Sequence, residues 1–429
     1  MILNRKQAPD LQDISKVVLP NIQNLNLDNG IPLSVLNVGS QELLKIQFSF
    51  PAGSIYQNEL LTALFTNDLL KEGSKNYTSK EIAEKLDFYG AFVDARITRD
   101  RAYVNVFSLN KYLDEVLKIV ADFLIAPTLS AKELQIITAK EKQLFSIKMQ
   151  KVKTIANRRF QQLVFGTDHP YGYMTNLPDY DAVELANIRR FFETNYQLKD
   201  WQLYVSGKVN DDTLVLLNRY FGYQKLTGEK LEQETIKQTI EAQKTHHFIE
   251  HKGAMQTALK MGQLTINRTH KDYPVLSLAQ TIFGGFFGSR LMQNIREDKG
   301  YTYGIGSHIM HLHQASVFVI SSEVGGEVAE KALEEVKKEM KLLRSEIVAE
   351  DELQLVKNYM AGSLLKSLNG PFALGEMMRM MKEYHLSEDY FTHYISGIQE
   401  ATADDVLQAA QQYLNENDMM SLLVGSKHQ

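Results

Sequence analysis

Leu113-Asp-Glu-Val-Leu-Lys-Ile-Val-Ala-Asp-Phe-Leu124 and, past Pro127, Leu129-Ser-Ala-Lys-Glu133-Leu-Gln-Ile-Ile137 make a pattern that the chain carries twice. Displaced by 219 residues, Glu133-Leu-Gln falls on Glu352-Leu-Gln, Leu117 on Val336, Leu124 on Leu343, Leu129 on Val348 and Ile137 on Val356. Leu113, Val116, Leu117, Val120 and Leu124 recur at the spacing of an amphipathic helix, and Pro127 separates it from a longer helix running from about Ala131 past Lys151. Upstream, residues 31–36 and 44–50 alternate with period two and read as strands. A helix over 60–71 follows, then one that starts at Thr78-Ser-Lys-Glu81, a capping signal, and stops at Tyr89-Gly90. Residues 91–97 and 102–109 are strands joined by the charged turn Thr98-Arg-Asp-Arg. The second half repeats the order: strand 254–264, helix 273–283, strand 315–322, amphipathic helix 327–343, and a long helix from about Ala349. The expected fold class is α+β, with two similar domains of about 210 residues, each an antiparallel sheet with helices packed on one face. The domains are placed at residues 1–226 and 246–429, joined by a polar linker at 227–245 rich in Glu, Gln and Lys.

Composition narrows the function. The 429 residues carry 47 Lys and Arg against 52 Asp and Glu, a net charge of −5, so no electrostatic footprint for nucleic acid or an anionic membrane is present. Zero Cys removes disulfides, thiolate zinc sites, iron–sulfur clusters and cysteine nucleophiles together. No apolar run approaches the ~20 residues needed to span a bilayer, and the first ten residues show no secretory h-region. The expected location is cytoplasmic, although a chain without Cys also suits an oxidising compartment such as the periplasm.

Pro51-Ala-Gly-Ser, Leu70-Lys-Glu-Gly-Ser, Glu81-Ile-Ala-Glu-Lys-Leu-Asp-Phe-Tyr-Gly-Ala, His169-Pro-Tyr-Gly-Tyr and Leu203-Tyr-Val-Ser-Gly-Lys-Val follow one another in the first half. The second half contributes Phe283-Gly-Gly-Phe-Phe-Gly-Ser-Arg-Leu-Met-Gln-Asn-Ile-Arg-Glu-Asp-Lys-Gly-Tyr-Thr-Tyr303. Together, in this order and over nearly the whole chain, these resemble the pitrilysin or insulinase-like zinc peptidases, in particular the short-chain branch that includes the mitochondrial processing peptidase subunits. Active members carry His-x-x-Glu-His on the first long helix. Positions i and i+4 lie about 6 Å apart along one helix face, so two imidazoles can share a Zn²⁺ while the Glu takes the proton of the metal-bound water. A distal Glu completes the ligands. Aligned on Gly73-Ser74, the motif falls on Leu64, Asn67 and Asp68, and the distal Glu falls near Leu144, where only Glu141 is close. Leu cannot ligate and Asn cannot act as a base, so the resemblance implies a degenerate motif, no catalytic residue and no metal ligand in this chain. Asp68 and Glu141 are expected to be ordinary surface or salt-bridged carboxylates.

A literal His-x-x-Glu-His stands at His247-Phe-Ile-Glu250-His251. It leaves the polar linker and runs into a strand, where residues four apart are about 13 Å from one another and cannot share one zinc. Glu327, a family-like distance downstream, is read as coincidence. His311 and His313 would share a face if 307–313 is a strand, with His308 on the other. Adventitious metal at His247/His251 or at His311/His313 is left open. Met377, Met378, Met380 and Met381 read as packing, and Gly284, Gly285 and Gly288 lack the P-loop Lys-Ser/Thr that a phosphate loop needs.

Arg296 and Tyr303 match the Arg-x6-Tyr that the resemblance places against the zinc site, where it holds substrate backbone and the developing oxyanion. The plain structural alternative is an ion-paired Arg and a buried Tyr. A chain with this pair and no zinc motif resembles the non-catalytic, substrate-binding subunit of a heteromeric zinc endopeptidase. The implied partner is a homologous zinc-motif subunit forming a heterodimer, with a homodimer conceivable when the chain is alone; the implied ligand is peptide, and zinc belongs to the partner. The other readings are an inert structural or peptide-binding homologue and, last, an active zinc peptidase.

Overall fold

The computed structural model describes residues 19–196, 201–224 and 245–427. Of the expected linker only Thr245 falls among them, and residues 1–18 lie outside. The first sheet contains β1 (Gln23–Asn26), β2 (Pro32–Asn37), β3 (Leu43–Phe50), β4 (Phe92–Ile97), β5 (Ala102–Leu109) and β6 (Gln202–Gly207), in the spatial order β1-β2-β6-β3-β5-β4. The second contains β7 (His246–Glu250), β8 (Gln256–Thr265), β9 (Thr302–His311), β10 (Ser316–Gly325) and β11 (Met420–Gly425), in the order β7-β11-β8-β10-β9. Apart from β1 the two orders are the same, including one parallel pair in each, β2 with β6 and β7 with β11. All other neighbours are antiparallel. The 219-residue repeat lands on equivalent elements. Leu117–Ile137 spans the helices Leu113–Ile125 and Ala131–Lys148 after β5, and Val336–Val356 spans Ala329–Ser345 and Glu350–Ser367 after β10.

Period two in the strands decides what each sheet face meets. Leu44, Ile46, Phe48 and Phe50 of β3 join Val104 and Val106 of β5 and the helix residues Phe65, Leu117 and Leu124 in one core. Leu259 and Met261 of β8 join Ile320, Leu333, Val336 and Met340 in the other. The Thr78 capping box forms as expected, with the hydroxyl accepting from the Glu81 N–H and the Glu81 carboxylate accepting from the Thr78 N–H.

The long helix expected to run past Lys151 instead ends at Lys148, and a new one begins at Val152. Val152, Ala156, Phe160 and Val164 form an apolar stripe on this second helix, Val152–Phe165. The stripe covers the far face of the second sheet, packing on Ala258, Val317, Val319, Met420, Leu422 and Val424. The chain breaks because one straight helix could not serve both its own half and the opposite one. Gly262 permits the close approach, since a Cβ there would lie 3.0 Å from the Phe160 ring.

The second half returns the exchange. Its helix Pro371–Glu383 lies on the far face of the first sheet, with Met378 against Leu36 and Tyr204. Gly375 sits where a Cβ would meet Ser206 Oγ at 2.3 Å. The same helix turns Met381 toward Ala361, Phe391 and Ile395, so its methionines are packing residues. Each sheet therefore has a helix on its second face, beyond the single helical layer expected from sequence.

This second joint is polar. Lys45, Gln47 and Ser49 of β3 alternate with the core residues and stand beside Tyr103 and Asn105 of β5. Glu383 accepts from Ser49 Oγ at 3.0 Å and from the Tyr103 hydroxyl at 3.0 Å, and it pairs with Arg101 at 3.8 Å and with Arg379. Ser49 Oγ in turn accepts from Arg101 Nε at 2.6 Å. Glu376 pairs with Lys45 and, at 2.9 Å, with Arg379. Among the described residues no helix is long and apolar enough to cross a membrane.

Glu383 and Arg101 are 1% and 4% exposed at their side chains, so removing one leaves the other charged and out of water. Glu383→Ala is expected to destabilise the chain by about 3–5 kcal/mol, read as a lowered urea midpoint, whereas Glu376→Ala, at a half-exposed carboxylate, costs far less.

Candidate functional site

The degenerate motif lies on the helix Thr62–Leu69, packed between β4 and the helices Ala131–Lys148 and Leu185–Asn195. Its entry residue Leu61 adopts φ +70°, a left-handed conformation that costs a branched residue of order 1 kcal/mol. Leu64 is half-buried and faces a cleft of about 350 Å³ lined also by Ser54, Leu61, Arg99, Arg158 and Tyr173. Asn67 is fully buried, accepts from the Tyr196 hydroxyl at 3.1 Å, and its amide nitrogen has no partner among the described residues. At this position an Asn is a buried structural polar group, turned away from any solvent-borne nucleophile.

Asp68 corrects an expectation. It is half-buried and in no ion pair among the described residues: burial raises its carboxyl to about 6, and the charge of nearby Glu141 pushes in the same direction against weaker pulls from Lys71 and Lys140. Asp68 and Glu141 are thus electrostatic neighbours rather than two unrelated surface carboxylates. Glu141 also raises Tyr180, after burial, while Arg158 opposes it. The place where the resemblance puts a zinc site therefore presents an aliphatic side chain, a buried amide and two mutually repelling carboxyls. Among the described residues no group of three or more His, Asp or Glu side chains is placed to hold a metal ion. These residues do not fit zinc.

Of the literal His-x-x-Glu-His, His247–Glu250 lie in strand β7, as their context predicts, paired in parallel to β11, and His251 follows directly after it. His247 Nε2 lies 2.6 Å from Thr245 Oγ1. His311 closes β9 and has both ring nitrogens engaged, Nε2 with the Tyr273 hydroxyl at 3.0 Å and Nδ1 with Ser316 Oγ at 2.9 Å; burial lowers its pKa to about 3. His313 lies beyond the strand, stacked edge-on against Tyr384, so the shared face expected for the two is not formed. The glycines after helix Tyr273–Gln280 serve packing: a Cβ on Gly284 would meet Ser307 of β9 at under 3 Å.

Arg296 and Tyr303 depart from the plain structural alternative at both residues. No carboxylate among the described residues pairs with Arg296; its guanidinium stacks 4.5 Å from the centroid of the exposed Phe287 ring. Tyr303 is 93% exposed at the start of β9 and lines a separate cavity with Lys153 and Lys260. Neither residue lines the cleft at Leu64. Sequence reasoning missed Phe287, although it sits inside the quoted Gly-rich block. It also missed Lys260, whose place between Leu259 and Met261 in an apolar strand was a readable signal. Tyr196, at the end of a distant helix, offered none.

Comparison with known proteins agrees with this geometry. The family model described as Insulinase (Peptidase family M16) matches residues 40–164, and the one described as Peptidase M16 inactive domain matches residues 182–360. The uncharacterized zinc protease YmxG of Bacillus subtilis is 24% identical over 81% of this chain and 84% of its own length. The probable inactive metalloprotease YmfF of the same organism is 22% identical over 81% of this chain and 85% of its own length. Among solved structures, a peptidase M16 inactive domain from Pseudomonas fluorescens superposes with a TM-score of 0.87 at 24% identity, covering 95% of this chain and 99% of that one. A protease from Helicobacter pylori gives 0.82 at 18% identity over 95% and 100%. These likenesses show the fold.

A carboxyl whose folded pKa lies above its unfolded one favours the folded state when protonated. Asp68 should therefore cost stability as pH rises from about 4 to about 6, the loss being complete above that. Asp68→Asn is expected to raise stability at pH 7.5 by on the order of 2 kcal/mol and to change it little at pH 4, read from urea midpoints at the two pH values.

Proposed function

This chain belongs to peptidase family M16, the insulinase family, and we propose that its part there is that of a non-catalytic, peptide-binding subunit of a two-chain zinc endopeptidase. The observation that carries this reading is the contrast between its halves. On the first, the motif helix has been filled by Leu64, by Asn67 tied to Tyr196, and by Asp68 beside Glu141. On the second, Tyr303 is almost wholly exposed and Arg296 is half-buried on the exposed Phe287 ring, and neither has an ion pair among the described residues. A side chain kept for folding alone would be buried or paired; an exposed Tyr303 hydroxyl and an Arg296 without a carboxylate partner among the described residues are available to something outside the chain.

In such an assembly a homologue bearing His-x-x-Glu-His supplies the zinc and the general base. This chain supplies donors: Arg296 to peptide carbonyls in the ground state, and Tyr303 to the oxygen that becomes anionic as the tetrahedral centre forms. An extended peptide has an edge to pair with in β4, the outermost strand of the first sheet, whose Ile97 borders the Leu64 cleft. One organism carrying both a relative named as a zinc protease and one named as inactive is what a two-chain arrangement requires.

The isolated chain is expected to hold no stoichiometric zinc by elemental analysis and to cleave no peptide. Mixed with the zinc-motif homologue of its own genome it should restore turnover. Tyr303→Phe should then lower that turnover by about 10²–10³ without weakening subunit association, and Arg296→Ala should also weaken peptide binding. One equivalent of zinc that disappears on changing His247 and His251 to Ala, or a pair whose turnover ignores both substitutions, would overturn the reading.

A further inference from the structure

The face of the second sheet under helix Val152–Phe165 is apolar over most of its area, but its character changes near the start of that helix. In one row Lys260 of β8 stands opposite Ser321 of β10, and Ser321 opposite Gly306 of β9. In the next row Ala258 stands opposite Glu323. Small residues here leave a cavity of about 260 Å³, lined by Ala258, Lys260, Ser321, Glu323 and Tyr303, with Lys153 reaching in from the helix. The floor is open, since a Cβ on Gly304 would meet nothing within 4 Å.

The donors around this space are uneven. Lys153 lies 3.4 Å from the Glu323 carboxylate, so that pair is neutral. Ser322 and Thr302 bond to one another and to the backbone. Lys260, Ser321 and Tyr303 have no hydrogen bond or ion pair among the described residues. Lys260 is half-buried, and burial together with the Lys153 charge holds its ammonium down to about 8, against a weaker pull from the Glu323 carboxylate. A Leu or Met at 260 would have extended the apolar face on which Phe160 and Val164 pack. The cavity instead holds two ammonium groups against the single Glu323 carboxylate, an excess of positive charge that a bound anion offsets.

We propose that this cavity is a carboxylate pocket through which the chain selects acidic peptides, with Lys260 pairing the carboxylate and the Ser321 and Tyr303 hydroxyls donating to its oxygens. One excess charge matches a carboxylate rather than a doubly charged phosphate. The source is a free peptide C-terminus or an Asp or Glu side chain. The inference rests on the peptide-binding role proposed above and gives that role its substrate class. Tyr303 then has two neighbours in function, the cavity on one side and the reacting centre of a partner on the other.

The test uses the full chain and two kinds of probe. Glutarate is titrated while the ¹³C-methylated Lys260 resonance is followed, identified by its absence in Lys260→Met; a saturable shift of that resonance is expected, and an unmoved one overturns the pocket. Short labelled unstructured peptides are then compared by fluorescence anisotropy: a neutral amide, the same peptide with a free C-terminus, and the amide with Glu or Gln inside. Either acid form is expected to bind roughly ten- to a hundredfold more tightly than its neutral counterpart, with the advantage lost in Lys260→Met and reduced in Ser321→Ala. The form that shows the advantage identifies the source. Equal binding of acid and neutral peptides overturns the inference and leaves the peptide-binding role standing. Failure of every peptide to bind, with glutarate still shifting Lys260, overturns the peptide-binding role and supports the pocket as an anion site.

Discussion

Each sheet has two faces to bury and its own half supplies helices for only one, so the chain folds as an exchange in which each half lends a helix to the other. The two loans differ in kind. Helix Val152–Phe165 brings an apolar stripe to the second sheet, and each large side chain so buried contributes about 1.5–3 kcal/mol without fixing a unique register. Helix Pro371–Glu383 brings Glu376, Arg379 and Glu383 to a sheet face of Lys45, Ser49, Arg101 and Tyr103. A buried charge network of this kind adds little net stability over an apolar contact, because desolvation offsets the attraction. It does restrict the seating, since Glu383 is satisfied only where Ser49, Tyr103 and Arg101 converge. One joint holds the halves together and the other sets how they are aligned, which in turn fixes where the Leu64 cleft stands relative to the Arg296 and Tyr303 end of the second sheet.

The electrostatics of the degenerate motif follow from what was substituted. A zinc site balances carboxylates with a divalent cation and imidazoles. With Leu64 and Asn67 in place, the Asp68 carboxyl is left with burial and the Glu141 charge against it and weaker pulls from Lys71 and Lys140 in its favour. The helix compensates by packing: Asn67 is tied to Tyr196, and Thr66 donates back to the Thr62 carbonyl at 2.7 Å. This helix is part of the wall between the first sheet and the helix Leu185–Asn195.

Much of this was legible in the chain. Period-two alternation located β2, β3, β4, β5, β8 and β10, and the 219-residue offset placed the paired helices on equivalent elements because both copies must present the same stripe to the same kind of sheet. The strand reading of His247–His251 held because a polar approach followed by Lys252-Gly253 cannot start a helix there. The exchange of helices was not legible: Val152, Ala156, Phe160 and Val164 announce a buried stripe, but nothing local says which sheet buries it. The nearness of Asp68 to Glu141 follows from the resemblance, which sets both at one site, and not from any local pattern, since it depends on how two helices separated by β4 and β5 come together. The exposure of Tyr303 was equally out of reach, because a Tyr beside a strand reads the same whether it faces core or solvent.

That exposure is the most telling departure from local rules. An aromatic ring left almost wholly in water forgoes the burial that tyrosines ordinarily gain, and Arg296 gives up a carboxylate partner to rest on an exposed Phe287. The Gly-rich turn before them packs tightly, with Gly284 against Ser307 and Gly306, so the backbone that carries the pair is rigid even though the side chains are free. Rigid backbone beneath solvent-facing donors is the arrangement that lowers the entropic cost of binding a ligand. Lys260 repeats the pattern on the same sheet, a charge held without a partner in a preformed recess. In the first half Asn67 is buried and tied to Tyr196; in the second Tyr303 lies in solvent and Arg296 rests half-buried on Phe287, above a rigid turn.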